Sequence, residues 1–194
     1  MTFHQIPNSQ FNYSSSGDWN GHSISYAFDN NDKNFWIANT DSDGTTGSNI
    51  IVNFHKTTLF EGFLMKGYEY SKKFHGFPLK VNLYASLNNE EFKLHAKFSG
   101  EPSGANELYQ YIPLEKVLCD RIKIEFAQVT KDEKHSNSYS PIINNITLFQ
   151  SFEHEGLTFQ AADADYSNSD FISTHKVDNS DFTIYSDSGD QEGH

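Results

Sequence analysis

Apolar residues return at every second position through the middle of the chain, most cleanly in Leu79, Val81, Leu83 and Ala85 against Lys80, Asn82, Tyr84 and Ser86. A period of two places the first set on one face of a β-strand and the second on the other. Ile122, Ile124 and Phe126 repeat the pattern, and further strands are predicted over residues 49–54, 60–70, 91–98, 107–112 and 142–149. Turn-rich pieces such as Ser99-Gly100-Glu101-Pro102-Ser103-Gly104 separate them, and no comparable stretch carries a helical period. Short strands bounded by Gly, Pro, Asn and Ser predict an all-β protein, a β-sandwich or barrel whose sheets bury their inward side chains together.

The two ends depart from this pattern. Residues 1–47 are rich in Asn, Ser, Asp and Gly, with isolated aromatics at Phe11, Trp19, Phe28, Phe35 and Trp36, the composition of a long ordered loop. Such a loop holds only if its aromatics pin it to the sandwich, so Phe28 and Trp36 are expected to be core anchors. After Phe152 the chain turns polar and acidic, with Asp163, Asp165, Asp170, Asp178, Asp181, Asp187 and Asp190 and no clear alternating strand. Such a segment cannot build a core by itself. The expected division is a sandwich domain over 1–152 and an acidic polar tail over 153–194. The tail resembles the chain's own start: Met1-Thr2-Phe3-His4-Gln5 parallels Leu157-Thr158-Phe159-Gln160, and Asp29-Asn30 with Trp36 parallels Asp178-Asn179 with Tyr185 at the same distance. It is either the truncated start of a second copy or a polar segment whose composition matches by chance.

Charge narrows the partners. Across 194 residues, 14 Lys and Arg stand against 26 Asp and Glu, a formal charge of -12 that repels phosphate backbones and anionic lipid surfaces at long range. Nucleic acid is not expected as a partner, and a membrane is disfavoured. With Cys119 alone no intrachain disulfide can form; beside Asp120 and ahead of an apolar strand it reads as a small buried residue rather than a nucleophile. There is no run of 18 apolar residues, and residues 1–10 lack the basic and apolar segments of a signal peptide. The expectation is a soluble chain, cytoplasmic as written and extracellular if it is a piece of a secreted protein, with the compartment open. Of two sequons, Asn12-Tyr13-Ser14 is usable in a secreted protein, whereas Asn145-Ile146-Thr147 lies in a predicted strand. No His-Glu-x-x-His, Gly-x-Ser-x-Gly, phosphate-binding glycine loop or Cys/His zinc spacing is present, so no enzyme activity is expected.

The segment Ala27-Phe28-Asp29-Asn30-Asn31-Asp32-Lys33-Asn34-Phe35-Trp36 precedes the first strong strand, with a Trp seven residues after an Asp. It resembles the corresponding loop of discoidin, or coagulation factor V/VIII type C, domains and of the related family 32 carbohydrate-binding modules. Their pattern is Ala-x-Asp-Gly-Asn-x-x-Thr-x-Trp. Later landmarks are similar too: Asn49-Ile50-Ile51-Val52-Asn53-Phe54, Pro78-Leu79-Lys80-Val81-Asn82-Leu83-Tyr84-Ala85-Ser86, Arg121-Ile122-Lys123-Ile124 and Ile143-Asn144-Asn145-Ile146-Thr147-Leu148-Phe149. The resemblance covers residues 3–150 and implies a discoidin-like, galactose-binding-domain-like jelly roll. Asn30 and Asn34 stand where Gly and Thr are usual, and Asn tolerates the left-handed backbone that Gly would supply. The missing disulfide leans the resemblance towards the lectin-like branch.

In that branch calcium often ties this loop to the last strand. Carried over by position, the implied ligands are the Asp29 carboxylate, the carbonyls of Tyr26 and Asn31, an oxygen of Thr40 and the Asn145 side chain, oxygens of the kind a hard cation takes. The alternative is that Asp29 caps the loop turn through backbone N–H groups with no ion. Ligand sites in these modules lie on loops at one end of the sandwich. The residues implied here are Tyr68, Tyr70, Lys73 and His75 on the 66–78 loop, with Asp43 and Tyr139 on neighbouring loops. Aromatic rings take apolar sugar faces, and charged or planar groups pair with hydroxyls. Fucose-binding relatives carry Arg at about the places of Tyr68 and His75, which argues against that sugar. The plainer reading makes the tyrosines outward strand residues and the lysines a solvated turn. Phe74 and Phe77 are read as rings of a partly buried turn rather than membrane spikes.

The function expected from this resemblance is a non-catalytic, lectin-like module binding a carbohydrate or glycoprotein, with an adhesion-type role. The alternative is a protein-interaction domain of a larger protein using the same loops. Phospholipid binding ranks lower on charge.

Overall fold

A computed structural model describes residues 2–39, 47–71, 73–99, 108–111, 115–135, 137–151, 172–173 and 183–185. Among these residues thirteen strands run in chain order: β1 Thr2–Gln5, β2 Phe11–Ser15, β3 Trp36–Ile37, β4 Ser48–Gly67, β5 Glu69–Tyr70, β6 Lys73–Phe74, β7 Pro78–Ser86, β8 Lys93–Ser99, β9 Leu108–Tyr111, β10 Val117–Val129, β11 Ile142–Ser151, β12 Ile172–Ser173 and β13 Thr183–Tyr185. The only helical pieces among the described residues are 3-10 turns at Asn8–Gln10 and Ile24–Phe28. The expected all-β class is what the chain forms, and no described helix is long and apolar enough to cross a membrane.

The sandwich is made by one strand that serves both layers. Residues 48–53 of β4 pair with β10, and residues 50–54 pair with β2 on the other side. Across a bulge, residues 58–60 pair with β10 again, while residues 59–67 pair with β11 and residues 63–66 with β9. His55, Lys56 and Thr57 lie exposed at the changeover. One layer therefore reads β2-β4-β10-β7-β8 and the other β9-β4-β11-β1, with β3 also against β11, and hydrogen bonding continues from one layer to the other through β4. The two strands predicted over 49–54 and 60–70 are thus one. The polar triplet between them is a bend in the ladder, and the strand stops at Gly67, where a Cβ would meet the Phe77 ring at 2.9 Å.

The alternation sets the core. Val81, Leu83 and Ala85 of β7, Ile122, Ile124 and Phe126 of β10, and Ile50, Val52 and Phe54 of β4 are all buried, facing Phe63, Met65, Ile146 and Leu148 from the other layer. Ring pairs close the gap between elements, Phe63 with Phe98 at 6.2 Å and Trp36 with Phe126 at 5.8 Å. Removing such surfaces from water is the main stabilising term in folding.

Phe28 and Trp36 are buried core anchors as expected. Phe28 stacks on Tyr13 at 4.5 Å and meets Phe11 edge-on at 5.6 Å. The loop reading of residues 1–47 needs correction, because β1, β2 and β3 lie within it. In β2 only Phe11 and Tyr13 point inward, between Asn12, Ser14 and Ser15, an alternation too short and polar to register as a period. In the tail, β12 runs parallel to β8 and β13 parallel to β1, with Thr2 opposite Thr183 and His4 opposite Tyr185. Strands of two and three residues leave no periodic trace in a sequence. The rest of the tail, and with it the second-copy reading, lies outside the described residues.

Candidate functional site

Three loops meet at one end of the sandwich, and backbone hydrogen bonds lace them together. Thr130 N–H donates to the Phe77 carbonyl at 2.8 Å, Ile142 N–H to Gly76 at 3.0 Å, Ala38 N–H to Pro141 at 3.1 Å and His75 N–H to Tyr68 at 3.2 Å. The Phe77 N–H donates in turn to the Thr130 hydroxyl at 2.8 Å. Each loop carries its own turn chemistry. Trp19-Asn20-Gly21-His22 is a two-residue hairpin with φ of 45° at Asn20 and 83° at Gly21, closed by His22 N–H on the Trp19 carbonyl at 3.0 Å. Asn-Gly is the pair that such turns demand. β5 and β6 form the second, and a turn from Asp132 to Ser138 forms the third.

These turns bring aromatic and imidazole rings into one row. Trp19 stacks on His22 at 6.2 Å, His22 on Phe35 at 4.4 Å, and Phe35 lies 4.2 Å from Tyr68. His135 joins Tyr68 at 5.3 Å and Phe35 at 5.4 Å. At the end of the row Lys134 donates to the Tyr68 hydroxyl at 2.7 Å and places its ammonium 3.3 Å from the centroid of the exposed Tyr70 ring. Phe35 is held at stacking distance by two neighbours, His22 and Tyr68. Trp19 and Tyr70, each covered from one side, are the rings that can take an apolar ligand face.

Beneath the row Asp132 is fully buried. Its carboxylate accepts the backbone N–H groups of Lys134 and His135, each at 3.1 Å, which offsets the cost of burying the charge. Its Oδ1 lies 3.2 Å from His135 Nδ1 and 3.6 Å from Nδ1 of the buried His75. Burial pushes the His135 imidazole below its ordinary range, against the opposite pull of Asp132, and Lys134 and His22 add to the lowering.

Tyr68, Tyr70 and His75, singled out by sequence, do come together: His75 lies 6.4 Å from each tyrosine ring, below the rim rather than on it. Lys73 is exposed and pairs with Glu133 at 3.8 Å. Tyr139 is half-buried against the core, and Asp43 lies outside the described residues. Sequence reasoning missed Trp19, His22, Phe35, Asp132, Lys134 and His135; the signal that could have found the first two is Asn20-Gly21 between two ring-bearing residues. Phe77 is buried and Phe74 half-buried, as the turn reading required. Cys119 is buried, its thiol pushed up to about 12 by burial and by Asp120, which suits a packing role.

The loop implied for calcium docks on β11. Asn144 Nδ2 donates to the carbonyls of Asp32 and Asn34 at 3.2 and 2.8 Å, and Asn145 Nδ2 donates to Asn30 Oδ1 at 3.0 Å. Asn30 takes the left-handed backbone, φ 54°, that the departure from Gly required. Asp29 accepts from Asn31 N–H at 2.9 Å and from Asn34 Nδ2 at 2.6 Å, and Asp32 pairs with Lys66 at 2.7 Å. The capping role open to Asp29 is therefore filled. Among the described residues Asn145 Oδ1 is buried with no hydrogen-bond partner, an oxygen of the kind a hard cation takes. Thr40 lies outside the described residues.

Among curated protein sequences, none matches this chain. Solved structures do match. A family 32 carbohydrate-binding module of NanJ from Clostridium perfringens, in complex with galactose, superposes with a TM-score of 0.61 at 18% identity, covering 75% of this chain and 98% of that one. The CBM32-1 and CBM32-2 domains of ZmpB from the same organism, in complex with GalNAc, give 0.62 at 20% identity, over 77% of this chain and 36% of that two-module chain. CBM32-3 from a family 31 glycoside hydrolase of C. perfringens gives 0.63 at 10% identity, over 76% and 95%. At these identities the likeness establishes the discoidin-like β-sandwich expected from the sequence. Residues 10–142 match the F5/8 type C domain family, more than half the chain, and to that family this chain belongs.

Proposed function

We propose that this chain is a carbohydrate-binding module that holds a glycan on the loop end of its sandwich, without catalysing a reaction. The observation that carries the reading is the row of rings ending in Tyr70 and Lys134, where an open aromatic face lies beside a charged donor and a phenol. A sugar presents both an apolar C–H face and hydroxyls, and this pairing answers both. Domains of this family are binding modules, and two of the matched structures hold galactose and GalNAc, which supports a glycan as the partner class. The test is a glycan array followed by titration of the best sugar against Trp19→Ala, Tyr70→Ala and Lys134→Ala. Loss of a stacking ring or of the charged donor should each weaken binding about tenfold, near 1.4 kcal/mol, with the fold intact. A flat array across all sugars would remove the reading.

A calcium ion between the Asp29 loop and β11 belongs to the same proposal, supported by the orphaned Asn145 Oδ1. Asp29, Tyr26, Asn31, Thr40 and Asn145 would hold it, and the ion would supply positive charge that stiffens the loop. Calcium at a hundred times its dissociation constant should stabilise the folded chain by about 2.7 kcal/mol, raising the melting midpoint by about 5–10 °C over a chelator control. Asn145→Ala should abolish that rise. Equal midpoints in calcium and chelator would overturn the metal.

A further inference from the structure

Two imidazoles converge on one carboxylate that has no exposed surface. Asp132 Oδ1 is 3.2 Å from His135 Nδ1, within hydrogen-bond reach, and 3.6 Å from His75 Nδ1, beyond it; among the described residues His75 Nδ1 is buried with no hydrogen-bond partner. An ionised carboxylate only accepts, so the His135 nitrogen facing it carries the proton. A neutral imidazole has one N–H, which leaves His135 Nε2 as an acceptor. The neighbouring Tyr68 oxygen already accepts from Lys134 Nζ at 2.7 Å, so its own hydrogen is the one left to give. The two rings lie 5.3 Å apart between centroids, so one patch carries both an acceptor and a donor, the pair that a hydroxyl, which both donates and accepts, can use.

We propose that Asp132 is a positioning residue: it holds His135 in the Nδ1–H form and so makes Nε2 the atom that accepts a hydrogen bond from a ligand hydroxyl. The proposal rests on the glycan reading for the identity of that hydroxyl, whereas the tautomer is a property of the free chain. The groups packed around His135 are Asp132 and Lys134 of its own turn, His22 of the first hairpin, and Tyr68 from the segment after β4; His75 reaches the same carboxylate, and Glu133 pairs with Lys73. Burial holds the His135 ring below the ordinary imidazole range, which keeps it neutral near pH 7, as an acceptor must be. When pH falls through that lowered value the ring gains a second N–H and the acceptor is lost. Affinity is therefore full above the ordinary imidazole value and fades on the acid side.

The test is a long-range proton–nitrogen correlation of the imidazoles in the full chain at pH 7.5, with His135 assigned by its loss in His135→Gln. The expected result is a protonated Nδ1 and a bare Nε2; free histidine prefers the reverse, so the measurement discriminates. Asp132→Asn should return the ring to the Nε2–H form, weaken binding of galactose about tenfold and flatten the affinity profile between about pH 5 and 8. An Nε2–H ring in the unaltered chain would overturn the proposal, as would Asp132→Asn with undiminished galactose affinity and an unchanged pH profile. If Asp132→Asn fails to fold, the tautomer of the unaltered chain decides. If galactose binds neither protein, the glycan reading is what suffers, and the tautomer still decides the role of Asp132.

Discussion

Gly76→Ala is expected to cost more than about 3 kcal/mol and to lower the thermal midpoint by roughly 10 °C or more. The backbone at Gly76 has φ 60°, where an L side chain already costs about 1–2 kcal/mol. The greater penalty is steric. A Cβ there would lie 2.1 Å from the Ser140 carbonyl oxygen, 2.6 Å from Ile142 Cγ1 and 2.9 Å from Ile142 N, and two of these three are backbone atoms that cannot turn aside. Relief requires the 68–77 loop to move off the start of β11, breaking the Ile142 N–H bond to Gly76 and pulling on the strand that also pairs with Trp36 and Ile37. Sugar binding should be lost with it, because Tyr68, Tyr70 and His75 ride on this loop. Gly21→Ala is the matched control: φ is 83° but nothing lies within 4 Å of the added carbon, so only the backbone strain remains. Urea denaturation of both variants measures the difference. Equal losses at the two positions would mean that the close approach at Gly76 carries no energy.

That contrast shows where the sequence could be read and where it could not. The strands of the middle were legible because each inward residue, from Leu79 to Ala85 and from Ile122 to Phe126, reports its own environment through the period of two. The single strand over Ser48–Gly67 was not, because a bulge that the β10 ladder spans looks in sequence like a break between two strands. For the site, Tyr68 and Tyr70 were legible as rings on a polar loop. Asp132, Lys134 and His135 were not, because their relation to Tyr68 spans more than sixty residues and rests on a turn that buries one carboxylate. His75 was read as a ligand contact from its residue type; its burial under the rim follows from Gly76 and Phe77, whose close packing no local pattern announces.

Trp36 ties the core to the rim, and a two-step series should separate its two roles. The side chain is fully buried, its ring against Phe126, and its Nε1–H donates to Asp18 Oδ1 at 2.8 Å. Asp18 also accepts from the Ser15 hydroxyl at 2.6 Å and stands directly before the Trp19 hairpin. That hairpin is held to β3 by Trp19 N–H on the Ile37 carbonyl at 2.9 Å and by Ile37 N–H on the His22 carbonyl at 3.3 Å. Trp36→Ala removes the ring and should cost about 3–5 kcal/mol, seen as a midpoint lower by about 10 °C or more. Trp36→Phe keeps one ring, removes the donor and leaves part of the buried indole space empty. Asp18 is exposed and can turn to water, so the stability cost should be about 1–3 kcal/mol, a midpoint shift of about 2–12 °C. Binding should respond differently, because Asp18 then no longer fixes the hairpin that carries Trp19 and His22. Affinity for the best array sugar should fall several-fold in Trp36→Phe while the chain remains folded. A Trp36→Phe variant that binds as tightly as the unaltered chain would mean that the core anchor and the stacking hairpin are energetically separate.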